Sequence, residues 1–285
     1  MPSKVAFLSD IHGNSPALQA VLDDIQREKC AEVFMLGDII NGVDPHGCVE
    51  MLRTWSNANN VRLSCIRGNA EAYLTTPDLE ALSNRKEDWN QDMIDLIRWF
   101  ESHLSGPDLD WIRSFPDTIR WNNAYLVHDS PLDRLAVQAQ PDPEIRPEHR
   151  EWFYHGPGIL PGMAEQEWQK LLEYMEKEHL FQVFCGHTHV PFYKEMDNRL
   201  ICNVGSVGAP LDGDPRSSWV MLDIDASGNQ TISIRRLVYD VSLILQRIEQ
   251  TPDYPEFKMP GFREAYKKWF LTGVHWRAYI PDNRS

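Results

Sequence analysis

Three short apolar runs open the chain at nearly even intervals: "KVAFLS" from Lys4 to Ser9, "EVFML" from Glu32 to Leu36, and "VRLSCI" from Val61 to Ile66. Runs of this length, bounded by turn residues, suit buried strands rather than helices. The stretches between them read as helices. After "DIHGNSP", Ser15 can cap and Pro16 can take the first helical position; Leu18, Val21, Leu22 and Ile25 then recur at i, i+3, i+4 and i+7. A short helix near Pro45–Trp55 fills the second interval. A βαβαβ series of this kind specifies a parallel sheet core, with functional loops at the C-terminal ends of its strands.

Further along, residues from about Pro77 to Phe115 read as helical, with Trp89, Met93, Leu96, Ile97, Phe100 and Leu104 on one face. "AYLVH" (Ala124–His128) is a strand, and the Pro-rich, polar stretch Asp129–Gly162 takes no regular assignment; loops this long are usually functional or mobile. A helix around Ala164–His179 leads to the strand "FQVFC", and Arg199–Val204, Trp219–Ile224 and Thr231–Val238 add three more. Val241, Ile244, Leu245 and Ile248 begin one C-terminal helix, and Phe262, Ala265, Tyr266, Trp269 and Phe270 mark another. The organisation expected is one α/β domain over residues 1–240, with residues 129–180 inserted near its site, and a helical extension over 241–285 packed on it.

The polar residues that close the strands decide the chemistry. The first strand ends in Asp10 and His12, the second in Asp38, the third in Asn69, "AYLVH" in His128, and "FQVFC" in His187 and His189. In "FCGHTHVPF", Gly186 and Pro191 bracket the last two in what reads as a rigid loop presenting imidazoles. Carboxylate, carboxamide and imidazole donors together suit Mn²⁺, Fe or Zn²⁺ rather than a soft-metal site. Seven donors exceed the needs of one ion and suit two that share a carboxylate, for which Asp38, standing alone, is the natural bridge. Two ions ~3.5–4 Å apart can grip both sides of a phosphorus and lower the pKa of a bridging water, whose hydroxide attacks in line.

Composition narrows the substrate. Hydrophobic residues make up 42% of the chain and charged residues 25%, as in an ordinary globular protein, but the formal charge is −14. That argues against a nucleic-acid or anionic-membrane surface, which needs clustered Lys and Arg. A small phosphorylated molecule stays open, because metal cations supply local positive charge. The five cysteines (Cys30, Cys48, Cys65, Cys185 and Cys202) form no CxxC pair, which argues against disulfide frameworks and thiolate zinc sites; Cys65 and Cys185 read as buried thiols. The apolar stretch at the N-terminus is too short for a signal peptide and none reaches membrane-spanning length, so the expectation is a reduced, cytoplasmic protein. Nothing in the sequence specifies an oligomeric state.

At these residues the chain resembles the calcineurin-like metallophosphoesterase superfamily. The motifs are "SDIHGN", "GDIING", "RGNAE", "LVHDS" and "CGHTH". A likeness to a prokaryotic, small phosphodiesterase-like branch rests on "GVDPHGCVEML" and "NVGSVGAPLDGDPR". The resemblance covers residues 4 to about 240, and the helical tail is similar too. It implies a four-layer αββα sandwich with two mixed β-sheets flanked by helices. It also implies one metal at Asp10, His12, Asp38 and His189 and another at Asp38, Asn69, His128 and His187, with Asp38, Asn69 and His128 as the catalytic set. Two departures stand out. Ala70 occupies a position where the family commonly has a histidine that assists the leaving group, and Asp129 stands where a glycine usually follows the lone histidine. A carboxylate at Asp129 can orient His128, repel an anion or face solvent.

Other candidates have two readings each. Arg67 and Arg216 suit a phosphate clamp or surface ion pairs, and Asn14 suits a substrate contact at a helix N-terminus or a cap. Glu71 reads as support for its loop. Trp152, Phe153 and Tyr154 suit a pocket wall or plain packing of the insert. Asp129 and His155 are the first candidates for an acid replacing the missing histidine. The expected function is cleavage of a phosphodiester or phosphoanhydride in a small molecule. The alternatives are a Ser/Thr-type phosphomonoesterase and a protein-binding scaffold on the same fold.

Overall fold

In the computed structural model, which describes residues 3–75, 91–132 and 158–280, the opening pattern becomes strand β1 (Ser3–Leu8), helix α1 (Ser15–Glu28), β2 (Glu32–Met35), α2 (Pro45–Asn59) and β3 (Arg62–Cys65). The three strands pair in parallel, with Phe7 opposite Phe34 and Phe34 opposite Ser64. Asn14, not Ser15, caps α1: its side chain accepts from the Ala17 amide, and Ser15 turns aside to donate to Asp44. Helix α2 runs one turn beyond the expected end, to an αL residue at Asn60.

The helix expected through Phe115 is, in its described part, two helices after the short α3 (Asn69–Leu74): α4 (Gln91–His103) and α5 (Gly106–Arg113). Ser105 breaks them apart. Its hydroxyl accepts from the Asp108 amide while the Asp108 carboxylate accepts from the Ser105 amide, a reciprocal cap that starts a new helix with Pro107 in its first turn. Trp89 lies outside the described residues.

Strand β5 (Ala124–Val127) is preceded by β4 (Thr118–Trp121), which pattern reading missed, and joined to it by a hairpin with Asn122 at φ 51°. Helix α6 (Glu165–Lys177) leads to β6 (Gln182–Cys185), β7 (Phe192–Met196), β8 (Arg199–Asn203), β9 (Ser217–Ile224) and β10 (Gln230–Leu237). β7 was also unforeseen, although its signal was present. Asp197 and Asn198 both have positive φ, the requirement of a tight two-residue hairpin to β8. Helices α7 (Val241–Gln250) and α8 (Phe262–Thr272) follow, with 3-10 turns at Pro255–Lys258 and Trp276–Tyr279.

The strands form two mixed five-stranded sheets, ordered β10-β9-β1-β2-β3 and β4-β5-β6-β8-β7. Their inner faces meet: Val5, Phe7 and Phe34 pack on Leu126, Phe184 and Cys202, and the Phe7 and Phe184 rings stack with centroids 4.0 Å apart. Truncating such a ring costs ~3–5 kcal/mol, a large part of a domain's margin of ~5–15 kcal/mol. Outside the first sheet lie α1, α2, α4 and the C-terminal helices, whose Ile244, Phe262, Tyr266 and Phe270 share one apolar cluster with Leu18 and Leu22 of α1. Outside the second sheet α6 buries Trp168, Leu171 and Met175. This is the four-layer αββα arrangement, with two mixed sheets between helices. Cys65 and Cys185 are buried thiols. No described helix is long and apolar enough to cross a membrane.

Candidate metal centre

Five polar residues at the strand ends adopt left-handed backbone conformations: Asp10 (φ 56°), His12 (49°), Asp38 (57°), His187 (67°) and His189 (60°). For residues with a Cβ this costs of order 1–2 kcal/mol each. The loops are held in place by their neighbours. The amides of Asp10, His12 and Gly13 donate to the carbonyls of Gly37, Asp38 and Ile39, which zips the first two strand-end loops together. A late segment, residues 205–209, grips the same turn: Val207 N donates to Ser9 O, Gly208 N to Asp10 O, and Ser206 Oγ to Asp10 O at 2.7 Å. A Cβ on Gly208 would lie 1.8 Å from Ile11 O, and one on Gly186 would lie 2.5 Å from Asp10 Oδ2, so both close approaches require glycine. Buried Glu71 accepts from the amides of Asp38 (2.8 Å), Ile39 (2.8 Å) and Gly68 (2.9 Å), clamping the second and third loops together.

Three imidazoles are aimed in the same way. His12 Nδ1 bonds Asn41 O at 3.0 Å, His128 Nδ1 bonds Leu36 O at 2.7 Å, and His189 Nδ1 bonds Ala209 O. A carbonyl only accepts, so each Nδ1 carries the proton and each Nε2 is left facing inward. There the His12 and His189 Nε2 atoms are 3.1 Å apart, and Asp10 Oδ1 lies 3.6 Å and 3.3 Å from them. Asp38 Oδ2 lies between His12 Nε2 at 3.7 Å and His128 Nε2 at 3.5 Å. Asp10, His12 and His189 form one trio of converging donor atoms, and Asp10, Asp38 and His128 another, each within 4.8 Å. Asp10 is the carboxylate common to both trios, while Asp38 belongs to the second and approaches the first only at His12. Asn69 and His187 stand together beside the second trio: Asn69 Nδ2 is 3.3 Å from His187 Nδ1, and the His187 and His128 rings are 5.1 Å apart.

The donor set fits divalent cations on two observations. Asp10 Oδ1 and His128 Nε2 are buried polar atoms with no hydrogen-bond partner, a state that burial penalises unless an ion completes it. The electrostatics also call for positive charge. Burial alone would raise the Asp10 and Asp38 carboxyls, yet His189 and His12 around Asp10, and His128 around Asp38, hold both below the carboxylate range. Burial would lower His128, but the Asp38 carboxylate pushes it up to about 10. Burial and His128 push His187 down to about 4, so it stays neutral and able to ligate.

A model of the calcineurin-like phosphoesterase superfamily domain matches residues 4–227. The chain belongs to that superfamily. An uncharacterized protein of Methanocaldococcus jannaschii is 26% identical over 270 residues, spanning 86% of this chain and 92% of the relative. A metallophosphoesterase from Sphaerobacter thermophilus shares the fold with a TM-score of 0.63 at 22% identity, covering 95% of this chain and 99% of that one. A hypothetical protein from Pyrococcus horikoshii does so with a TM-score of 0.69 at 17% identity, over 96% and 99%.

The expected substrate contacts of this calcineurin-like chain fall elsewhere. Asn14 is fully buried and its amide is used up: Oδ1 caps α1, and Nδ2 donates to Gly208 O and Tyr239 Oη. Of its two readings the structure displays the cap. Arg216 forks onto Asp214 at the surface, and Arg67 pairs with Asp117 and bonds Thr75, so both display the ion-pair reading. Asp129 accepts from the Ser130 amide, while His128 is oriented by Leu36 O. Trp152, Phe153, Tyr154 and His155 lie outside the described residues. Hollows of about 560 and 810 Å³ open at the opposite strand ends around Trp121 and Asn122, away from every ligand. The cavity that touches the centre measures about 300 Å³ and is reached by His12, His187 and His189. Pattern reading missed the grip of Ser206 and Gly208; the Gly-Ser-Val-Gly run was its one visible sign.

Proposed function

We propose that this protein is a dimetal phosphoesterase that cleaves a diester or anhydride of a small phosphorylated molecule. The observation that carries the reading is the pair of donor trios joined by Asp10, with Asp38 Oδ2 between His12 and His128. Divalent ions held there would supply positive charge to the phosphoryl oxygens and lower the pKa of a water. Manganese, iron and zinc all suit the donors. The chain's own part is preorganisation: carbonyl-anchored imidazoles and the Glu71 clamp fix the donors before substrate arrives. Asn69 and His187 stand beside the second trio, where they would complete its ligands.

Ala70 supports the choice of ester. It is buried, and its amide donates to Asp38 Oδ1 at 2.9 Å, so this position orients the shared carboxylate but offers no acid. General acid help is worth ~10²–10⁴-fold and matters most for poor leaving groups. Alkyl monoesters such as phosphoserine suffer most from its loss. The test is a side-by-side assay of bis-p-nitrophenyl phosphate and p-nitrophenyl phosphate, with Mn²⁺ and with chelator, alongside elemental analysis. Two ions per chain and a faster diester rate are expected. One ion or none at saturating metal sinks the binuclear centre. A robust phosphoserine rate with shallow leaving-group dependence favours the Ser/Thr-type monoesterase, and no hydrolysis with two ions bound favours the scaffold.

A further inference from the structure

The cavity at the metal centre has two unlike walls. One is the ligand cluster, His12, His187 and His189; the other is built by the chain beyond residue 250, from Tyr254, Tyr266, Trp269 and Trp276. The Glu256 carboxyl also lines the cavity, bonded to the Tyr254 hydroxyl. Trp269 is fixed by its Nε1, which donates to Pro210 O at 2.7 Å, and its ring plane lies within 13° of that of the ligand His189. Tyr254 and Tyr266 are almost wholly buried, so this wall is rigid, while Trp276 is half-buried. Among the described residues lining the cavity there is no lysine or arginine.

Each feature constrains the occupant. At about 300 Å³ the space is at the small end of ligand pockets, which suits one ring-bearing fragment rather than a long chain or a protein segment. Aromatic walls reward a flat ring through stacking. A wall without cations gives no partner to a second phosphate, which disfavours an anhydride. A carboxyl that accepts from Tyr254 keeps acceptor positions for hydrogen-bond donors at the edge of a ring.

Resting on the phosphoesterase reading, we propose that the C-terminal segment, residues 254–276, forms a ring-binding subsite, and that the substrate is a phosphodiester with one uncharged arm bearing a planar ring of the nucleoside or aryl kind. The extension is then part of the site that selects the substrate, and not only a cover on the first sheet.

The experiment compares two diesters with the same p-nitrophenolate leaving group, thymidine 5′-(p-nitrophenyl) phosphate and methyl p-nitrophenyl phosphate, on metal-loaded protein. Leaving-group chemistry is then constant and only the other arm changes. The ring-bearing ester should show a kcat/KM roughly ten- to hundredfold higher. Trp276→Ala should shrink that ratio toward one, with Trp276→Phe restoring part of it. Leu211→Trp, which fills the cavity from another element, should shrink it too and covers the case in which Trp276→Ala does not fold. Calorimetry gives a readout independent of turnover: thymidine 5′-phosphate should bind at least tenfold tighter than methyl phosphate, and Trp276→Ala should abolish the difference. Equal kcat/KM for the two esters, or a preference that survives both metal-loaded variants, overturns the subsite. Cleavage of neither ester while thymidine 5′-phosphate still binds preferentially overturns the phosphoesterase reading and leaves the subsite standing.

Discussion

Asp10 and Asp24 are both carboxylates with no exposed surface, and they have opposite surroundings. Both Asp24 oxygens are occupied: Trp219 Nε1 and Arg235 Nε each donate to Oδ2 at 3.1 Å, Arg235 Nη2 donates to Oδ1 at 3.1 Å, and Arg27 closes on the same oxygen. Asp10 has one oxygen on the His187 amide at 2.9 Å, while the other faces only imidazole nitrogens at 3.3 and 3.6 Å. A buried carboxylate with all its bonds made joins elements together; one left short of a donor is a candidate place for a cation. Neither is open to solvent, so hydrogen-bond completeness and the two arginines beside Asp24 separate them.

The comparison breaks most visibly at the shared carboxylates. Asp38→Asn should lower kcat/KM on an aryl diester by more than the ~10–100-fold typical of a residue behind the ligands, and by more than His12→Gln, because it touches both trios. Near wild-type turnover in Asp38→Asn would show that Asp38 serves neither trio. Glu71→Gln comes next. An amide cannot accept from amides on both of its ends, so metal affinity, measured by competition with a chelator, should fall by about 10–100-fold.

Metal removal should separate the two carboxylates by stability. An ion at one hundred times its Kd adds about 2.7 kcal/mol to the native state, so stripping it should lower Tm by several degrees in the wild type and equally in Asp24→Asn. Asp24→Asn itself should cost about 1–3 kcal/mol with unchanged metal content, read from urea midpoints. Burial would raise the Asp24 carboxyl, but Arg235 and Arg27 outweigh it and hold it below its ordinary value. Its contribution is therefore complete above the unfolded value of about 3.9 and is lost as pH falls through the lower folded value. The gap between wild type and Asp24→Asn should be full at pH 7 and should close in strong acid; a gap that persists there would mean the cost is packing rather than charge.

Legibility followed the same divide. The βαβαβ half could be read because strand, cap and helix period agree along "KVAFLSDIHGNSP", and Asp10, His12, Asp38, His128 and His189 could be read because each closes an apolar run. The short edge strand β4 has four residues and only a partly buried face, too little alternation to register. The break at Ser105 was visible as Ser-Gly-Pro but was overridden by the apolar stripe on either side. The carbonyl anchors of the histidines could not be read at all, since Leu36 O, Asn41 O and Ala209 O carry no side-chain signature. For Arg67 and Arg216 residue type left two roles open, and the choice lay in whether Asp117 and Asp214 stand nearby.

The grip of residues 205–209 on the Asp10 turn, together with the antiparallel pairing of β1 with β9, sets a timetable during synthesis. Strand β1 leaves the ribosome some two hundred residues ahead of its partner β9, a delay of about 10–40 s at ordinary elongation rates. Until then the Asp10 turn lacks the hydrogen bonds that Ser206, Val207 and Gly208 give it. Through that interval β1 is unpaired on its β9 side, an open edge that can pair wrongly. The grip is completed late, when the Gly-Ser-Val-Gly run and β9 close over a strand that has waited for them.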